Sequence, residues 1–188
     1  MTSTQTAPAH PLIEPTPPAG EEGRVNDVFA AVESHLGFVP DALRLYGISP
    51  PLLEAFVGNV SYFRGGTSLS PMLTTMIRYL VSVAGDCRFC IDMNEGFLLQ
   101  MGLDLEHIRA GREDVEQAPV HERERPLLRL ALRSTTEPQA ITAADLDACR
   151  VAGFSDREIF DAVAQATSNR ALNLMLATFK VEEQGAFL

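Results

Sequence analysis

Ala84-Gly85-Asp86-Cys87-Arg88-Phe89-Cys90-Ile91-Asp92-Met93-Asn94 joins two helical patterns and carries two cysteines three positions apart. Gly85 stops the apolar run before it, and Asp86 is a residue type that caps the helix after it. On that reading both cysteines lie in the first turn of a new helix. There the unpaired N–H groups and the helix dipole favour a thiolate. Arg88 adds to that effect, while Asp86 and Asp92 oppose it. Thiols at this spacing close a small disulfide, share a metal ion, or sit inert in a core. A structural zinc needs about four ligands, and the chain has no second Cys-x-x-Cys and no His-x-x-x-His. The pair therefore reads as redox chemistry, and no metal or cofactor is expected.

The flanking sequence is helical on both sides. Ser70-Pro71 is a cap followed by proline at the first helical position. Met72, Leu73, Met76, Ile77, Leu80, Val83 and Ala84 then form a wide apolar face, which predicts a buried helix. After the cysteines, Phe97, Leu98 and Met101 point inward and Gly102 ends the segment. Asp104 begins a short helix through Ile108, and Gly111 to Val120 reads as a charged loop.

Further out, Val25, Val28, Phe29 and Val32 recur at helical spacing up to Gly37. Ser49-Pro50 starts another helix, with Leu52, Leu53, Phe56, Val57, Val60 and Phe63 as its stripe. Leu127, Leu128, Leu130, Ala131 and Leu132 mark a helix over 122–134. Thr142 and Asp145 form a capping pair, and Ser155-Asp156-Arg157-Glu158 is a capping box. Phe160, Val163, Ala164, Thr167, Ala171, Leu174, Thr178 and Val181 follow it with one helical rhythm. The fold class is all-α, with no strand. Residues 1–23, with five prolines among Thr, Ala and Glu, predict an arm that is mobile or laid on a neighbouring subunit. Residues 24–188 form one domain.

Composition bounds the partners. The 188 residues are 46% hydrophobic and 21% charged, ordinary for a globular protein. A net charge of −10 argues against nucleic acid and against an anionic membrane surface. Three cysteines do not make a secreted disulfide framework. No basic segment followed by an apolar one opens the chain, and its apolar runs are too short to span a bilayer. The expectation is a cytoplasmic protein.

Leu69-Ser70-Pro71, the Cys87 to Asn94 stretch, Gly102-Leu103, and Gly153-Phe154-Ser155-Asp156 through Asn169-Arg170 and Asn173 together resemble the carboxymuconolactone decarboxylase superfamily. The likeness is to its alkylhydroperoxidase-D-like (AhpD-like) branch and runs from about Val39 to Val181. It implies an all-helical protomer that assembles into trimers or hexamers. It also implies a Cys-x-x-Cys that cycles between dithiol and disulfide while reducing peroxides, recharged by a dithiol protein or small thiol. That branch places a glutamate on the preceding helix and a histidine four residues after the second cysteine, to relay a proton. Here those positions are Thr75 and Asn94. Neither is a base near neutral pH, and both only hydrogen-bond.

The candidate site is thus Cys90, Cys87, Asn94 and Thr75. Cys90, nearer the relay positions, is expected to attack and Cys87 to resolve, although the spacing also allows the reverse. His107, folding back, or Asp92 would be the replacement base. Asn169, Arg170 and Asn173 read as a polar seam between subunits or an arginine paired with an acid, with a site role as the alternative; Cys149 reads as packing, His35 as a helix-end cap and His121 as part of a charged loop. Two alternatives stand beside a thiol oxidoreductase. One is a decarboxylase-like enzyme without redox chemistry. The other is a non-catalytic helical oligomer that senses redox state or binds a small ligand.

Overall fold

Nine α-helices follow one another in residues 11–181, the part of the chain described by the computed structural model; no strand occurs among these residues. The first ten residues of the expected arm and residues 182–188 lie outside that range. The helices are α1 (Glu22–Leu36), α2 (Asp41–Tyr46), α3 (Pro50–Ser61), α4 (Pro71–Ala84), α5 (Arg88–Gln100), α6 (Leu105–Glu113), α7 (Arg125–Thr136), α8 (Ala143–Val151) and α9 (Asp156–Phe179). Short 3₁₀ turns flank α7, and a π-helical turn over Tyr62–Gly66 ends α3.

Most of the start and stop signals act where the sequence put them, although Ser49 begins α3 without a side-chain cap. Ser70 Oγ accepts from the Leu73 N–H at 3.0 Å. The Thr142 N–H donates to Asp145 Oδ2 at 2.7 Å, and the Ser155 N–H to Glu158 Oε2 at 2.8 Å. Each such cap satisfies N–H groups the helix leaves open and contributes about 1 kcal/mol. Gly37, Gly102 and Gly153 end their helices with φ of 81°, 91° and 90°, a conformation open to glycine and costly for other residues.

Helix α4 is the axis of the protein. It packs on α5, α7 and α9 and buries Leu73, Met76, Ile77, Tyr79, Leu80 and Val81. Full burial of each aliphatic side chain is worth about 1.5–3 kcal/mol, so α4 is the least dispensable element. Leu127, Leu128, Leu130 and Ala131 of α7 and Ile159, Ala162 and Ala166 of α9 close that core. A second cluster, of Ala42, Leu45, Phe89, Leu172, Leu176 and Val181, surrounds Cys87 and Cys90.

Two expectations about buried helix faces are corrected, and the described part of the segment before α1 is seated on the chain. Residues 11–20 do not stand clear of the chain. The Leu12 N–H donates to the Phe179 carbonyl at 2.9 Å, and Ile13 packs against the cysteine cluster. On α9, Phe160 and Leu174 are 71% and 55% exposed. The buried face runs instead through Asp161, Gln165, Asn169 and Asn173, polar residues that an apolar rhythm skips. Leu52, Val60 and Met101 likewise face outward, because the helices carrying them are covered on one side only.

Candidate active site

Cys87 and Cys90 sit where α4 hands over to α5. Asp86 does not cap the new helix: it takes a left-handed φ of 49°, and Cys87 itself is the capping residue. Aspartate tolerates that conformation better than most residues, so the chain turns one residue later than the sequence suggests. Cys87 therefore lies at the mouth of α5 and Cys90 one turn inside it. Cys87 keeps 5% of its surface exposed and Cys90 none. A molecule arriving from outside meets Cys87 first.

The two cysteines approach to 2.9 Å, and both are free. The hydrogen bond between them decides their electrostatics. The Cys90 S–H donates to the Cys87 sulfur, which lowers the Cys87 thiol below its ordinary value despite burial. The Cys90 N–H, at the start of α5, and the Asn173 amide act in the same direction, while the Asp86 charge opposes them. Cys90 is pushed up, first by giving its proton to that bond, then by burial and by the neighbouring Cys87 charge. The thiolate therefore falls on Cys87, the opposite of the order expected from distance to the relay positions.

A polar seam lines the inner side of the pair. On α4 it consists of Thr75, Arg78 and Ser82; on α5, of Asn94; on α9, of Gln165, Asn169 and Asn173. Asn169 Nδ2 donates to Ser82 Oγ at 2.9 Å and to the Arg78 carbonyl at 3.1 Å. Asn173 Nδ2 donates to Ser82 Oγ at 3.3 Å, and the Asn173 amide faces both thiols. Asn94 Nδ2 donates to the Cys90 carbonyl at 2.7 Å. Arg78 donates to Asn94 Oδ1 at 3.0 Å, to Thr75 Oγ1 at 3.0 Å and to Gln165 Oε1 at 3.4 Å. The seam is hydrogen-bonded along its length, and every member except Arg78 is neutral.

Known structures share this arrangement of helices, although no family model and no curated protein matches the chain. An uncharacterized peroxidase-related protein from Silicibacter sp. TM1040 superposes with a TM-score of 0.86 at 23% identity, over 97% of each chain. A peroxidase-related protein from Ralstonia eutropha JMP134, described as an alkylhydroperoxidase AhpD core, superposes with a TM-score of 0.80 at 22% identity. It covers 95% of this chain and 93% of that one. The chain has the AhpD-like fold. The debrominase Bmp8, solved as a cysteine variant with 2,3,4-tribromopyrrole, also superposes, with a TM-score of 0.75 at 20% identity. That match covers 94% of this chain and 95% of that one.

Within the AhpD-like fold, Thr75 and Asn94 stand as expected on α4 and α5 and are almost fully buried. They do not form a relay: each accepts a hydrogen bond from Arg78. The proposed replacement bases are elsewhere. His107 is bonded to Asp104 on the exposed side of α6, and its ring is raised above its ordinary value by that carboxylate. Asp92 lies in the field of Arg109. No cluster of His, Cys, Asp and Glu suited to a metal occurs among the described residues. No described helix is long and apolar enough to cross a membrane.

Asn169 and Asn173 belong to the seam beside the thiols within one protomer, not to a surface between subunits. Arg170 packs over Gly85 at the site's rim. Sequence reasoning passed over Arg78, Ser82 and Gln165. Their signal was spacing: Arg78 and Ser82 stand four apart on α4, as Gln165, Asn169 and Asn173 do on α9, which puts each set on one helix face.

Proposed function

We propose that the protein is a thiol-dependent oxidoreductase that reduces peroxides or exchanges disulfides through Cys87 and Cys90. The observation that carries this reading is the hydrogen-bonded cysteine pair at the mouth of α5, with the charge directed to Cys87. A thiolate, not a thiol, is the nucleophile, and Cys87 is the more reachable of the two.

The steps balance without a base in the seam. Cys87 gives up its proton to solvent. Its thiolate attacks the outer peroxide oxygen; an S–O bond forms, the O–O bond breaks, and the alkoxide leaves and takes a proton from solvent. Cys90 then attacks the sulfenic acid, closing the disulfide and releasing water. An external dithiol reduces the disulfide by exchange and is itself oxidised. Cys90, with its thiol pushed up, suits the resolving role. It keeps its proton until Cys87 has reacted.

The test is peroxide consumption driven by dithiothreitol, in wild type and in Cys87→Ser and Cys90→Ser. Turnover abolished by Cys87→Ser supports the reading; equal rates in all three overturn it. A disulfide that forms with mild peroxide but gives no turnover points instead to a redox sensor.

A second reading comes from the fold shared with Bmp8, a debrominase. The same dithiol supplies the two electrons needed to replace a carbon–bromine bond by carbon–hydrogen, releasing bromide and leaving the disulfide. Bromide release from a bromopyrrole, recharged by dithiothreitol, separates it from peroxide reduction. In either case we infer a cytoplasmic homo-oligomer. Exposed Phe160, Leu174 and Val151 are apolar side chains of the kind that self-association covers. Light scattering measures the subunit number.

A further inference from the structure

The geometry points to an anion-binding role for Arg78: we propose that its guanidinium receives the carboxylate of a small organic acid whose reactive end lies toward Cys87. This deepens the thiol reading by naming a substrate class, and it rests on that reading only for the fate of the reactive end.

Arg78 is the one charged member of the seam, and among the described residues no carboxylate stands against it. Its three hydrogen bonds all go to neutral oxygens, on Asn94, Thr75 and Gln165. Charged groups are rarely buried unless paired. Several more exposed arginines do meet acids, whereas Arg125 keeps a buried Nε without a partner. Arg109 and Arg112 both meet Glu95, Arg133 meets Asp145, and Arg150 meets Asp147 and Asp156. Acids are not scarce, at 25 against 15 basic residues. Leaving Arg78 without one is a local arrangement rather than a shortage.

The three acceptors also hold the guanidinium in place. Thr75 is fixed by donating to the Pro71 carbonyl at 2.8 Å, and Asn94 by donating to the Cys90 carbonyl at 2.7 Å. A guanidinium has five N–H groups. Three are taken, so two remain for a ligand. The side chain is half-buried, and that burial together with the charge of nearby Arg64 pushes it down to about 10, so it is still a cation at neutral pH. A second cation beside the first again favours an anion between or above them. A planar fork with free N–H groups matches a carboxylate.

The fork is tied to the cysteine helix through intermediate residues. Asn94 links Arg78 to the backbone of Cys90. Ser82, one turn along α4 from Arg78, lies against the Cys90 thiol, and one turn is about 5–6 Å. An acid a few atoms long spans that gap.

Paired alkylating reagents test this without depending on turnover. Iodoacetate carries a carboxylate and iodoacetamide does not. With both, the Cys87 thiolate forms an S–C bond and iodide leaves. Rates at Cys87 are read by mass spectrometry for wild type, Arg78→Gln and Arg78→Lys, with a thermal melt confirming that each is folded. The expected result is an iodoacetate-to-iodoacetamide ratio about tenfold lower in Arg78→Gln than in wild type, and only partly restored in Arg78→Lys, which keeps the charge and loses the fork. Added benzoate, but not benzamide, is expected to slow iodoacetamide in wild type. The same ratio in all three proteins overturns the proposal, as does a wild-type Cys87 that neither reagent reaches. No peroxide turnover in wild type, with the ratio still lowered in Arg78→Gln, overturns the oxidoreductase reading and leaves the anion site standing.

Discussion

Arg78 Nε donates to Asn94 Oδ1 across 3.0 Å, and its Nη2 donates to Thr75 Oγ1 at the same distance. One guanidinium thus ties together the two positions where the AhpD-like resemblance implies a proton-relay pair. A glutamate and a histidine would exchange protons there. Threonine, asparagine and arginine exchange none near neutrality. What the site keeps is a fixed positive charge, and the groups that favour a Cys87 thiolate are hydrogen bonds at the mouth of α5.

Asn94→Asp follows from that geometry. The new carboxylate has the shape of the amide and lands on Arg78, which then has its acid inside the protein. The iodoacetate preference at Cys87 is expected to vanish, while the melting temperature stays level or rises. The lost donor to the Cys90 carbonyl offsets part of the gain from pairing. An unchanged reagent preference would mean that Arg78 does not face the bound anion.

The pH dependence of Cys87 reports the cysteine pair directly. Its thiolate is held by the Cys90 S–H first and by other donors after it. Cys90→Ala removes that first donor, so the charged form loses support and the midpoint must move up. A hydrogen bond to a charged group is worth about 1.5–3 kcal/mol, which corresponds to a rise of about one pH unit or more. The measurement is the pH profile of iodoacetamide alkylation at Cys87. A midpoint that stays put, or falls, would return the attacking role to Cys90.

The helices were legible because their ends are marked. Ser70-Pro71, Thr142 with Asp145, and Ser155 with Glu158 fix three helix starts by local hydrogen bonds that owe nothing to tertiary structure. The cysteine helix was placed one residue early because Asp86, a good cap by type, instead takes the left-handed turn. The seam was hidden for a different reason. Gln165, Asn169 and Asn173 are buried only because Arg78 and Ser82 on another helix receive or supply their hydrogen bonds. A periodicity built from apolar residues assigns such a face to solvent and turns Phe160 and Leu174 inward in its place.

Glu95, beside Asn94 on α5, anchors a second network. Burial alone would raise its carboxyl, but hydrogen bonds from Arg109 and Tyr79 and the charge of Arg112 outweigh burial and hold it below its ordinary value of 4.5. A carboxyl depressed in the folded state stabilises the fold above its unfolded value, and that contribution is lost as pH falls through the folded one. Glu95→Gln is therefore expected to cost about 2 kcal/mol at pH 7. This is below the usual range for a broken buried pair, because Arg109 is half exposed and screened by water. The gap to wild type should narrow below pH 4.5. Urea denaturation at pH 7 and pH 3.5 checks both the size and the direction. Equal costs at the two pH values would show that the loss is one of shape rather than charge.

Gly85→Ala tests whether Asn173 matters to the thiols without touching either cysteine. Gly85 has an ordinary φ of −91°, so alanine meets no backbone strain there. The obstacle is space. An added Cβ would stand 3.0 Å from Asn173 Oδ1 and 3.2 Å from the Val81 carbonyl, and it would meet Nη1 of Arg170. Arg170 is long and can swing away. Asn173 cannot move freely: it is buried and bonded to Ser82. Any shift of its amide weakens a donor shared by both sulfurs. Iodoacetamide alkylation of Cys87 at pH 7 is expected to slow by roughly threefold or more, since even half of one charge-assisted hydrogen bond is worth that much. The variant's melt should stay cooperative. A rate equal to wild type in a folded variant would show that Asn173 positions Ser82 and leaves the thiolate to the Cys90 hydrogen bond alone.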